Sequence, residues 1–138
     1  MDESGYSGTD RNRDVSIARV VEALPPAIAN LFDRLMREPR RSREEMRRRV
    51  ASYAVSIESL ARDVDYLDVD LVQRIANRCH RLIETIHDGV SEDHRRLVQA
   101  AVLYFVLDDD AEGDTSSLIG FDDDRLVVDA VARELGVD

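Results

Sequence analysis

At 138 residues and 15.6 kDa the chain has room for one hydrophobic core and not for two. A net charge of −10 repels nucleic acid and anionic membranes unless a local basic patch offsets it, and nucleic acid is not an expected partner. Apolar residues make up 43% but aromatics only 5%, with no Trp, so Leu, Val, Ile and Ala must build the core, and such a core favours helices packed on helices.

Residues 1–13 are rich in Gly, Ser, Asp and Arg, show no periodicity, and read as a disordered tail. They lack the apolar stretch of a signal peptide. Asp14 is placed to cap a first helix carrying Val15, Ile17, Ala18, Val21 and Leu24, which Pro25-Pro26 ends. Pro26 also suits the first position of a second helix, running to about Glu38 with Ile28, Leu31, Phe32, Leu35 and Met36 on one face. Ser42 and Glu45 form a capping box. Behind it Met46, Val50, Tyr53, Ala54, Ile57, Leu60, Ala61 and Val64 keep a 3.6-residue period.

Asp65 to Asp70 reads as a turn or a helix start. The stripe Val72, Ile75, Ala76, Cys79, Leu82, Ile83, Ile86 then predicts another helix, with Gly89 as its C-cap. Ser91 is placed to cap a helix from about Glu92 to Leu107. That helix is apolar nearly all round from Ala100 onward and is expected to be central. A polar, acidic loop to about Phe121 leads to a last helix from about Asp123 to Leu135, for which Asp122 or Asp123 can serve as cap. The longest apolar stretch, Leu97 to Leu107, is too short to span a bilayer. The expected architecture is all-α: a tail over 1–13, then a single compact bundle of about six helices over 14–138, with a central apolar helix and an Asp-rich loop before the last helix.

The lone cysteine, Cys79, excludes an intrachain disulfide, points to a reducing, cytoplasmic setting, and reads as a small core residue. His80 and His87 bracket Glu84 in an E-x-x-H spacing. A di-iron bundle needs that motif twice with two further Glu, so all three histidines, His94 included, read as surface residues. No nucleophile elbow, phosphate loop, dinucleotide loop or zincin motif occurs, and the reading leans away from an enzyme.

Two charged regions stand out. Residues 37–49 hold seven Arg against three Glu. Arg41, Arg47, Arg48 and Arg49 are candidates for binding a phosphate or an acidic protein partner, or for pairing with the chain's own acidic loop. Residues 108–138 hold eleven acids against two Arg. Asp108, Asp110, Glu112 and Gly113 match the start of a calcium loop, but Ile119 stands where its bidentate Glu belongs. A looser divalent site for Mg²⁺ or Ca²⁺ would draw on Asp110, Asp114, Asp123 and Asp124. Asp108 to Asp110 follow a helix C-terminus, where negative charge is unfavourable, so a cation or arginine is expected nearby.

Tyr104, Asp110, Asp114, Gly120, Phe121, Asp123 and Asp124 stand at spacings that resemble the YkvA family of bacterial helical domains, over about residues 94–135. The resemblance implies a helical fold and supplies no chemistry to carry over. The chain departs from that pattern where Asp108-Asp109 and Glu112-Gly113 replace prolines. The functional expectation is a small, soluble, non-enzymatic bacterial module working through a protein partner or as a homo-oligomer. Alternatives are a divalent-cation-binding protein and, behind it, a metal-dependent hydrolase.

Overall fold

Every residue from Leu97 to Val106 is buried, including Gln99, and the rest of the bundle is arranged around that stretch. The computed structural model describes residues 15–63, 68–107 and 119–137. Among these it holds six helices and no strand: α1 (Ile17–Glu22), α2 (Pro26–Met36), α3 (Arg43–Ala61), α4 (Val69–Glu84), α5 (Glu92–Leu107) and α6 (Ile119–Leu135). The helix α5 contacts α2, α3, α4 and α6, and the short α1 closes the bundle against α2 and α6. A helix apolar on all sides gains from water exclusion only if neighbours cover every side, and four of them do so here.

The all-α bundle with a central apolar helix is therefore as the periodicity predicts. On α3 the buried positions are Met46, Val50, Tyr53 and Ile57; on α4 they run from Leu71 through Val72, Ile75, Ala76 and Cys79 to Ile83. Phe105 on α5 meets Tyr53 on α3 edge to face, ring centroids 4.9 Å apart at 86°. Among the described residues no helix is long and apolar enough to cross a membrane.

The helix ends depart from expectation in four places. Ser16 caps α1, its hydroxyl accepting from the Arg19 amide at 3.1 Å, so the cap is not Asp14. Half of the predicted capping box forms: Ser42 Oγ accepts from the Glu45 amide at 3.0 Å. The Glu45 carboxylate turns instead to the Arg41 guanidinium at 3.2 Å, a stronger, charge-assisted partner. The helix α4 stops at Glu84 with Thr85 as its C-cap, so Gly89 is not the cap. Ile86 continues the buried stripe from outside the helix.

The fourth departure is α6, which begins at Ile119 and not near Asp123. Asp122 lies in its first turn and does not cap it; carboxylates there meet the positive end of the helix dipole as well as a cap would. Ser91 does cap α5, accepting from the His94 amide at 3.0 Å, and Asp68 caps α4, accepting from Leu71 at 3.0 Å. The proposed tail over 1–13 and the body of the acidic loop lie outside the described residues.

Candidate functional site

The arginines in and just before α3 come out as two unlike groups. Arg41 is engaged internally: its guanidinium binds Glu38 and Glu45, each at 3.2 Å, and its amide donates to Gln99 Oε1 at 2.9 Å. Gln99 also donates to the carbonyls of Pro39 (3.0 Å) and Glu38 (3.3 Å). One buried amide on α5 thus pins the strap that launches α3. Arg43 likewise turns inward and donates to the Ile86 carbonyl at 3.0 Å.

Arg48 is exposed, and Arg47 and Arg49 are half-buried. Arg48 comes no closer than 3.9 Å to Glu44, both groups being well exposed, which is a weak contact. Arg47 and Arg49 make no ion pair among the described residues. Arg48 and Arg49 border an open groove with Ala51, Ser52 and Val106, beside the last turn of α5.

Beyond them the outer face of α3 carries no charge. From Val50 to Ile57 there is no ionisable group other than the Tyr53 phenol, which is buried. Ala51, Ser52, Val55 and Ser56 are exposed, Val55 at 60%. Charge resumes at Glu58, whose carboxylate accepts from Gln73, and at Arg62.

Of the proposed cation ligands, Asp110 and Asp114 lie outside the described residues. Asp123 and Asp124 sit on α6, Asp124 wholly buried and Asp123 half-buried. Adjacent helical positions diverge, so these two do not converge on one point. Among the described residues no group of three or more His, Cys, Asp or Glu could hold a metal.

The charge on Asp124 reaches Cys79, whose thiol is pushed far above its ordinary value, first by burial and second by that carboxylate. A thiol held neutral is a core residue and not a nucleophile.

The histidines divide. With α4 ending at Glu84, His87 falls in a turn, where its Nδ1 accepts from the Gly89 amide at 3.1 Å, and the E-x-x-H spacing is not one helical face. His94 is buried, contrary to the surface reading, because the Ser91 cap turns it inward over Thr85. Its Nε2 lies 2.7 Å from Thr85 Oγ1. That hydroxyl donates its proton to the Leu82 carbonyl at 2.6 Å, so Nε2 is the donor. Burial first, then His87 and Arg95, lowers the His94 pKa below its ordinary 6.5.

One constellation has no counterpart in the sequence reading. Arg74, Arg78 and Arg81 of α4 and Arg125 and Asp129 of α6 line a cleft of about 310 Å³. Arg74, Arg78 and Arg81 recur at steps of four and three, which marks one face of α4; that alone reads as a solvated stripe. The meeting with Arg125 depends on the packing of α6 on α4, which no local pattern encodes. The signal for Gln99 was plainer: a lone amide inside an apolar run.

No protein-family model matches the chain, and no curated protein or solved structure matches it either.

Proposed function

We propose that the chain is a non-enzymatic helical module that works through a protein contact, a second copy of itself included, made by the outer face of α3. The observation that carries this reading is the uncharged, exposed stretch around Val55. Charged residues are 35% of the chain, yet here two turns of surface helix present Ala51, Ser52, Val55 and Ser56 with an arginine cluster at one end. Depletion of charge at the centre is one mark of protein interfaces, and Arg is enriched in them. Arg47, Arg48 and Arg49 supply steering toward an acidic partner surface. The lone buried thiol supports a reducing, cytoplasmic setting. The resemblance to YkvA-like domains belongs to this reading and rests on the sequence spacing of Tyr104, Asp110, Asp114, Gly120, Phe121, Asp123 and Asp124.

The test is a photo-crosslinking residue in place of Val55, in the full chain inside its native host, with sedimentation of the purified protein alongside. A discrete adduct, lost when Arg47, Arg48 and Arg49 are replaced by Glu while helicity is kept, is the expected result. A wild-type chain that stays monomeric and yields no adduct would overturn the reading.

The alternative reading is a divalent-cation-binding protein, and what supports it is the sequence, eleven acids against two Arg over residues 108–138. Mg²⁺ or Ca²⁺ would then raise the melting temperature of EDTA-stripped protein beyond matched NaCl, and Asp110→Asn with Asp123→Asn would abolish the rise. An equal melt with and without metal would end that alternative.

A further inference from the structure

The outer face of α3 has an order that exposure alone does not require. Glu44, Arg48, Ala51, Val55, Glu58 and Arg62 follow one another at steps of four, three, four, three and four. On a helix that alternation places them on one stripe, the spacing by which two helices meet along a seam. Arg62 caps α3 with right-handed helical angles, φ −65° and ψ −27°, so the stripe runs past Ala61 without a break in register. Glu44, Arg48, Ala51, Val55 and Arg62 are exposed and Glu58 is half-buried. Val55 and Leu126 are the large apolar side chains left exposed among the described residues.

The stripe reads acid, base, small, apolar, acid, base. Turned end over end and laid on a copy of itself, it sets Glu44 against Arg62, Arg48 against Glu58 and Ala51 against Val55, and a two-fold axis repeats each match. Every charge then faces its opposite, with the apolar pair at the centre. Laid parallel, the same stripe sets Arg48 against Arg48 and Glu58 against Glu58, which repel. The small Ala51 side chain lets two backbones come close and gives Val55 of the second copy a place to seat.

No strong contact is given up on pairing. Arg48 lies 3.9 Å from Glu44 across exposed surface, which is a weak pair. Glu58 accepts from Gln73 of α4, which holds its carboxylate in place, and a carboxylate has acceptor sites for more than one donor.

Given that the α3 face is a contact surface, as inferred above, we propose that its occupant is a second copy of this chain, docked antiparallel, α3 on α3, about a two-fold axis passing between Ala51 and Val55. A foreign helix would have to reproduce this order of charges in reverse; a second copy does so by symmetry. The ion pairs at the two ends fix direction and register more than they add affinity. The seam is about 27 Å long at the rise of an α-helix, a small interface, so the dimer depends on concentration.

Sedimentation equilibrium of the full chain across micromolar concentrations, with a charge-exchange cycle, tests this. The wild-type chain is expected to form a dimer and nothing larger, because a two-fold contact closes. Arg48→Glu sets acid against acid twice and should weaken the dimer at least about tenfold. Adding Glu58→Arg to the same chain restores opposite charges at both places and should recover most of that loss. A parallel pairing or a foreign partner gains nothing from the second substitution. Circular dichroism checks that each variant is folded, and the same cycle at Glu44 and Arg62, both exposed, serves if the Glu58 variant does not fold. A double variant no tighter than its single would overturn the antiparallel pairing. A monomeric wild type whose Val55 crosslinker still captures another protein would overturn self-pairing and leave the α3 reading standing. A monomeric wild type with no adduct would end both.

Discussion

The two outward arginine surfaces are built in opposite ways. On α3, Arg47, Arg48 and Arg49 are neighbours in the chain, Arg48 exposed and the other two half-buried, and they border a surface with no charge of its own. At the α4–α6 cleft the arginines come from two helices that are distant in sequence, and Arg78 of one and Arg125 of the other meet at Asp129. A run of like residues on one helix spreads its charge around the axis and suits broad steering of a partner. A constellation assembled across a helix pair concentrates charge at one point and suits a compact ligand. Clustering along the chain is therefore a poor guide to clustering in space.

Perturbing what the two surfaces share should erase the difference between them. Phe105→Ala removes the ring that meets Tyr53 under α3, from the helix that α4 and α6 also pack on. It should cost about 3–5 kcal/mol by urea denaturation and loosen both surfaces together. Gln99→Leu should act on one surface only. It strands the Arg41 amide and the carbonyls of Glu38 and Pro39, at about 1–3 kcal/mol, and should raise hydrogen exchange at the start of α3 while exchange on α4 beside the cleft stays as it was.

Surface charge deletions sharpen the difference further. Arg78→Ala breaks the pair that joins α4 to α6 and should cost about 1 kcal/mol, whereas Arg48→Ala should cost less than about 0.5 kcal/mol, its contact with Glu44 being exposed and long. Equal losses would mean that the two arginine populations are not held differently.

The smallest expected effect is a pH dependence near the start of α5. The folded-state pKa of His94 lies below 6.5, so the unfolded chain binds the proton first as pH falls. The stability carried by neutral His94 is complete above about pH 6.5 and is lost as pH drops from there toward its folded value. Denaturation midpoints at pH 7.5 and 5.5 should differ in the wild type and differ less in His94→Asn. A wild-type midpoint that does not fall with acidification would refute the assignment.

Much of this fold was legible because its signals are periodic. The stripes of α3 and α4 and the all-round apolar α5 needed only the 3.6-residue repeat and the rule that apolar faces must be covered. The helix ends were less legible, because several residues compete for each one. Ser16 replaced Asp14 as a cap, Thr85 pre-empted Gly89, and α6 began before its aspartates. The candidate sites were the least legible. Arg47, Arg48 and Arg49 could be picked out as a run, but that Arg41 would be drawn inward follows from Gln99, on another helix. The uncharged face around Val55 is visible in sequence only once the inward side of α3 is known.

The contact between Arg19 and Glu134 bears on how the bundle opens. Glu134 accepts from the Ser16 amide at 2.9 Å and from Arg19 Nε and Nη2 at 3.0 and 2.7 Å, a fork joining α1 to α6 across 115 residues of chain. That fork holds the Glu134 carboxyl below its ordinary pKa against the opposing effect of burial. Six residues are too few for a helix to persist by itself, so α1 exists only while docked. So short an element held mainly by its docking is expected to lift early in native-state exchange. Protonating Glu134 lowers the free energy of that opening, and the amides of Val20 and Val21 report it before any global transition begins.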